Sequence, residues 1–186
     1  MAEIIRPADP YTPECQFADV RAALGRMAKV ASPKARAVDR WCLQPDLAKS
    51  VADLTVQDDN GERGKLHAIV VGVVGFTPLT ETTGGGLVEW LVELRVAVFR
   101  WYEFGTNASN SQEVVEREAR LMAALVTLNR DSLAMDNPAA ARFRGVTRNL
   151  EFPRDNIDIV GFAEGVSAHM ALGSMQVKVQ EEIVTA

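Results

Sequence analysis

The chain has 186 residues, which is enough for one domain with a substantial apolar core, and no proline-, serine- or glycine-rich linker divides it. Apolar residues make up 47% of the sequence and charged residues 24%, as in ordinary folded globular proteins. The formal net charge is −5 and no run of five or six like charges occurs. A free nucleic-acid binder, which needs clustered lysine and arginine, is therefore disfavoured.

The cysteine content and the hydropathy pattern bear on where the protein folds. Cys15 and Cys42 are the two cysteines, and their spacing fits neither a disulfide framework nor a metal-binding motif. The N-terminal segment has no apolar core of signal-peptide length, and no apolar run is long enough to span a membrane. We expect a protein that is made and folded in a reducing cytoplasm and has no membrane partner.

The N-terminal third predicts an arm followed by a helix. Residues 1–11 contain two prolines and predict an extended arm, either a frayed terminus or a segment that lies on a neighbour. A helix is predicted from Thr12-Pro13 to Ser32-Pro33, because a capping hydroxyl precedes a proline at its start. Residues 34–64 give no clear pattern. The apolar residues of the helix recur at spacings of three and four: Phe17, Val20, Leu24, Met27 and Ala31.

Two strands are predicted next. Residues 65–76 are rich in β-branched residues and predict a strand that is buried on both faces or covered by a neighbour. After the loop 77–86, residues 88–98 alternate between apolar and partly charged positions, as expected for a strand with one buried face. The polarity then inverts at Phe99 and Trp101, which predicts a β-bulge at this end of the strand.

A second helix is predicted over residues 111–130. Ser109 and Gln112 have the spacing of a capping box, and oppositely charged residues recur four positions apart. The predicted buried stripe of this helix consists of Val114, Leu121, Leu125 and Leu128.

The C-terminal part predicts strands. Two short ones cover about residues 146–152 and 157–162, and a long one begins near residue 166. The alternation of this last strand changes phase at Gly173, which predicts a glycine-containing bulge. Adjacent strands joined by short turns form an antiparallel sheet, and the apolar stripe of each helix must cover one of its faces. The sequence thus predicts a single α+β domain over residues 1–186, with an antiparallel (mixed) sheet of about four to six strands and helices packed on one face.

No constellation of catalytic or metal-ligating residues is evident. The two histidines, His67 and His169, lie in separate strands, and neither has a cysteine or histidine at metal-ligand spacing. The triple glycine at 84–86 lacks the lysine of a phosphate-binding loop and precedes a strand instead of a helix. We therefore expect no buried polar cluster equipped for bond-breaking chemistry. The protein is predicted not to be an enzyme, with no catalytic, cofactor-binding or metal-binding residues.

An aromatic cluster at the end of the clearest strand predicts a protein interface. Successive strand residues point to opposite faces, so aromatic residues at consecutive positions cannot all be buried. Exposed aromatic residues at such a place favour contact with a partner, although a core position is the open alternative for Trp101 and Tyr102. The loops 77–86 and 132–142 are expected to become ordered on assembly. The candidate interface residues are Thr80, Gly85, Trp101, Tyr102, Phe104 and Asn137.

The order of elements resembles that of the tail terminator, or tail completion, proteins of long-tailed bacteriophages. The matching parts are LVEWLVELRVAVFRW (87–101), SNSQEVVEREARLMAALVTLNRD (109–131) and AHMALGSMQVKVQEEI (168–183). The resemblance covers residues 65–183 in order and spacing, contains no signature motif, and leaves 34–64 unmatched. It implies a hexameric ring of this chain in the virion that caps the tail tube protein and contacts head or neck connector proteins. It also implies no cofactor and no catalytic residue.

Two other interpretations stay open. Neck proteins of the same phages share much of this plan, so the first alternative is another neck or tail-tube structural protein. The second is a small ligand-binding domain or enzyme with a pocket under the 77–86 loop. It predicts that a metabolite or metal raises the melting temperature, because a ligand that binds only the native state stabilises it by mass action.

Overall fold

The computed structural model describes residues 18–33, 35–38, 55–56, 65–79, 87–102, 108–129, 143–161 and 167–182. The predicted arm at 1–11 and most of 34–64 lie outside these ranges. The elements within them are α1 (Ala18–Ala31), β1 (Arg36–Val38), β2 (Thr55–Val56), β3 (Lys65–Pro78), β4 (Leu87–Trp101), α2 (Ala108–Leu128), β5 (Phe143–Glu151), a 3₁₀ turn (Arg154–Asn156), β6 (Ile157–Gly161) and β7 (Ser167–Glu182).

The strands form one sheet whose main path is β1-β3-β4-β7-β5. The long strands β3, β4 and β7 pair antiparallel at its centre. At one edge, β1 runs parallel to β3 and the short β2 runs antiparallel to it; at the other edge, β5 and β6 both pair antiparallel with β7. The five strands of the path agree with the predicted number, and the predicted α+β class with helices on one face is confirmed.

The main core lies between the helices and one face of the sheet. Alternate residues of β4 over 92–98 are fully buried there, as the period-two pattern predicts. From α1, the predicted stripe residues Val20, Leu24 and Ala31 join this core, and Met27 packs against it. Each fully buried aliphatic side chain contributes about 1.5–3 kcal/mol relative to an exposed one, so this layer is the main source of stability. Neither described helix is both long and apolar enough to cross a membrane.

The buried face of α2 differs from the predicted one. Leu121 is 45% exposed and Leu128 is 80% exposed, while Val114 and Leu125 are half-buried. The predicted stripe is therefore wrong for Leu121 and Leu128, whereas Leu125 does pack against the core. The predicted residues and the residues that are buried in the structure both recur at helical spacing, so the spacing alone does not tell which set faces the core. The prediction favoured the set with the larger leucine side chains. The residues of α2 that are buried in the core are Val115, Ala119, Met122 and Val126.

The two predicted bulges are also wrong. β4 and β7 pair without a register shift from the pair Leu87 and Glu182 to the pair Trp101 and Ala168. The pattern changes because this end of the sheet is also packed on the face away from the helices, where Ala68, Val70, Ala97, Phe99 and Ala168 form a second cluster. Apolar residues on both faces mimic a change of phase. The register shift between β3 and β4 instead lies between Val73 and Gly75.

The outer edge of the sheet is interrupted. β5 and β6 follow one another along β7, and residues 152–156 leave the edge between them. Phe152 lies over Gly173, where a Cβ atom would be 2.8 Å from Cε1 of Phe152 and 2.9 Å from the Glu151 carbonyl oxygen. Within β5, Gly145 has a φ of 142°, and the pairing with β7 shifts register three times. Gly173 is thus a point of close approach and not a bulge.

Candidate functional site

Trp101 and Tyr102 are the candidate interface residues that fall within the described part. Both side chains are half-buried. Trp101 packs against the second cluster, and the Tyr102 ring meets the His169 ring edge to face with centroids 5.0 Å apart. Both residues therefore contribute to packing and keep some exposed surface, and their role in an interface stays a prediction. The other four, Thr80, Gly85, Phe104 and Asn137, lie outside the described residues.

Three basic side chains form a row across the sheet. Arg100 of β4 is the direct register partner of His67 in β3 and of His169 in β7. Directly opposite residues share one face, with Cα atoms about 4.5–5.5 Å apart. The row lies on the helix-facing side, because Arg100 is two positions from Val98 of the main core. The antiparallel pairing of β3, β4 and β7 thus brings together two histidines that are distant in sequence.

His67 belongs to a polar cluster between the sheet and both helices. Its Nε2 lies 3.0 Å from each carboxylate oxygen of Glu118, and the Ser32 hydroxyl donates to Oε1 of Glu118 at 2.6 Å. The side chain of Glu118 is 3% exposed and that of His67 is 13% exposed. Ser32 directly follows α1, and Glu118 lies in α2. The core therefore holds a buried polar cluster that the sequence analysis did not identify.

The arrangement of these three residues is not that of a catalytic triad. In a triad the acid holds Nδ1 of the histidine, which leaves Nε2 to accept the proton of the serine. Here Glu118 contacts Nε2 of His67 and also accepts a hydrogen bond from the Ser32 hydroxyl. The Oγ of Ser32 is 3.4 Å from Nε2 of His67. The contacts instead satisfy a buried carboxylate and join α1, α2 and β3. The described ranges contain no group of three or more histidine, cysteine, aspartate or glutamate side chains placed to hold a metal ion.

His169 has a different partner. Its Nδ1 is 2.7 Å from the Oγ of Ser111, which lies near the start of α2, and both residues are buried. Burial lowers the pKa of His169 below its ordinary value of 6.5, because the charged ring loses hydration. The imidazole is therefore neutral at neutral pH.

The pKa of His169 predicts how stability changes with pH. The unfolded chain binds a proton at His169 below about pH 6.5 while the folded chain does not, so the free energy of unfolding should fall as pH drops from 6.5 towards the lowered pKa. One such group contributes a slope of at most about 1.4 kcal/mol per pH unit. Urea denaturation between pH 5 and 8 measures it. His169→Gln should flatten this slope, and identical slopes in the two proteins would contradict the assignment.

Two surface features lie elsewhere on the molecule, a groove beside α2 and an exposed aromatic residue on β3. A groove of about 710 Å³ lies between α2 and the interrupted edge of the sheet. Its apolar lining includes Ala119, Leu150 and Phe152, and charges of both signs line it, so it favours neither an acidic nor a basic ligand. At the far end of β3, Phe76 is 47% exposed and meets Trp90 edge to face at 5.5 Å. The buried Nε1 of Trp90 has no acceptor in the described part.

Comparison with known proteins leaves the function to be argued from the geometry. No known protein family matches the sequence, and no curated protein matches it significantly.

The polar row and its cluster were missed by the sequence analysis, because no local motif contains them. The register of β3 and β7 with β4 is what could have revealed the row. The two strands that flank β4 each carry a histidine, and the alternation of β4 places Arg100 between them.

Proposed function

We propose that the protein is a structural component of a bacteriophage tail, a terminator that forms a ring on the tail tube and joins it to the head or neck. One observation carries the proposal. Three long elements, β4, α2 and β7, occupy 87–101, 108–128 and 167–182, and they coincide with the three segments that resemble the tail terminator proteins. The two helices cover one face of the sheet, as the resemblance implies.

The exposed apolar residues support association with other chains. A ring closes when one surface of a protomer contacts a different surface of the next. Leu121 and Leu128 on α2 and Phe76 on β3 are large apolar side chains with substantial exposure. In this proposal the protein works without a cofactor or a catalytic step, in the virion, after synthesis in the host cytoplasm.

The test is the mass of the assembled protein, alone and with tail tubes. Light scattering should give a species of about six subunits, or a monomer that associates with tube ends and stops their growth. A single closed ring distinguishes a terminator from a tube subunit, which would polymerise into open cylinders. A protein that stays monomeric and never associates with tubes would overturn the proposal.

A matched pair of variants tests whether the outer side of α2 takes part. Leu128→Glu places a charge on a side chain that is 80% exposed, so the fold should persist while assembly weakens. Thr127→Glu adds the same charge at the neighbouring exposed position, which faces another direction on the helix. We expect assembly to be lost in the first variant and kept in the second. Equal assembly in both would exclude this surface from the ring.

A further inference from the structure

The outward side of α2 carries apolar residues that are spaced seven positions apart. These residues, Val114, Leu121 and Leu128, form the outer row of the helix. Val114 is half-buried, whereas Leu121 is 45% exposed and Leu128 is 80% exposed. Seven residues make almost two helical turns, so the three side chains lie one above another on one side of the helix. This spacing is typical of a helix that packs against a second helix.

The surface charges of α2 determine which orientation of a second helix the outer row accepts. Arg117 lies beside the row, and Glu113, Glu116 and Arg120 share its half of the helix, whereas residues 121–128 contain no charged residue. Two parallel copies of α2 would bring the two Arg117 side chains together, and like charges repel. Two antiparallel copies place the charged half of each helix against the uncharged half of the other and also oppose the helix dipoles. The charges thus favour an antiparallel partner.

We infer that α2 pairs antiparallel with α2 of a second copy of this chain, with Leu121 at the two-fold axis. Val114 of each chain then contacts Leu128 of the other, because both lie seven residues from Leu121. Arg117 lies opposite Leu125, where its stem covers apolar surface and its guanidinium extends into water. The outer row is thus complementary to itself, which is what a two-fold contact between identical subunits requires.

The size of this contact determines its strength. Stable interfaces bury about 1,200–2,000 Å² of surface, and a single helix pair that uses three partly exposed side chains of each chain buries less. We therefore expect a weak dimer that forms at high protein concentration. The inference deepens the proposed function and rests on it for the role of the pairing. The two-fold contact makes pairs, and three pairs joined through other surfaces give six subunits.

Charge exchange at Leu121 tests the pairing in the full chain. Leu121→Glu and Leu121→Lys each place two like charges at the two-fold axis, so each variant alone should need at least a roughly tenfold higher concentration to dimerise. An equal mixture of the two variants should dimerise near the concentration of the unsubstituted protein, because opposite charges then meet. Sedimentation velocity over a range of concentrations measures the association, and circular dichroism checks that the helix content is kept.

Two further sets of variants accompany this test. Thr127→Glu and Thr127→Lys change an exposed residue of α2 that does not belong to the outer row, so they should dimerise like the unsubstituted protein, alone or mixed. Val114→Glu mixed with Leu128→Lys should dimerise better than either variant alone, because these two positions face each other across the contact. This second mixture serves in place of the first if the Leu121 variants do not fold.

The pairing and the tail function can fail separately. A mixture of the Leu121 variants that stays as monomeric as either variant alone would overturn the inference, as would an unsubstituted protein that remains monomeric up to millimolar concentration. A chain that joins tail tubes without pairing in solution would remove the pairing and leave the tail function standing. A chain that pairs through Leu121 and ignores tail tubes would do the reverse.

Discussion

Replacing Glu118 by alanine is expected to lower the free energy of unfolding by about 1 to 3 kcal/mol, the usual cost of leaving buried hydrogen-bonding groups without their partner. The carboxylate accepts from Ser32 at 2.6 Å and from His67 at 3.0 Å, and its side chain is 3% exposed. Its removal leaves the His67 ring and the Ser32 hydroxyl without their shared acceptor and opens a cavity between α1, α2 and β3. Urea denaturation monitored by circular dichroism measures the loss.

Two companion variants separate this cluster from a general effect on the helix. Glu113→Ala removes an exposed carboxylate from the same helix and should change the free energy of unfolding by less than about 0.5 kcal/mol. Glu118→Gln keeps an oxygen for the Ser32 hydroxyl but loses the charge, so its cost should lie between those of the two alanine variants. Equal small losses for Glu113→Ala and Glu118→Ala would show that the cluster contributes little to stability.

Met122→Ala is expected to cost about 2 to 5 kcal/mol, the range for deleting a large side chain from a packed core. Met122 is fully buried against the sheet, so its truncation removes apolar contacts and leaves a cavity. Leu128→Ala on the same helix should stay within about 0.5 kcal/mol, because that leucine is 80% exposed.

This pair also decides which stripe of α2 faces the core. Thermal and urea unfolding of both variants should give a large loss for Met122→Ala and a near-native stability for Leu128→Ala. The opposite order would restore the stripe inferred from the leucine pattern. The measurement should be made at low protein concentration, because association through Leu128 would add to apparent stability.

The sequence predicted the elements better than it predicted their faces. β4 and α2 were predicted within a few residues of their bounds, because each has a long and regular pattern. The buried side of α2 was predicted wrongly at Leu121 and Leu128, since two apolar stripes run along one helix and the choice between them depends on packing. The bulges at Phe99 and Gly173 were wrong for a related reason: burial on both faces of one end of the sheet imitates a change of phase.

The candidate site was beyond the reach of sequence patterns. His67, Arg100 and His169 become neighbours through the register of three strands, and register depends on the whole sheet. The sequence analysis did not single out Glu118, whose burial follows from the rotation of α2 that places Met122 in the core. The aromatic residues at the end of β4 were recognised in sequence, and Tyr102 proves to contact the same row.

The interrupted sheet edge formed by β5 and β6 disfavours edge-to-edge strand pairing between copies of this chain. A straight, fully paired margin offers a row of backbone groups to which another strand can add without end. Here the excursion at 152–156, the register shifts of β5 and its exposed charged side chains, such as Arg144 and Arg148, remove that template. If copies of this chain meet along this side in the proposed ring, we expect their contacts to use side chains instead of continuous backbone pairing.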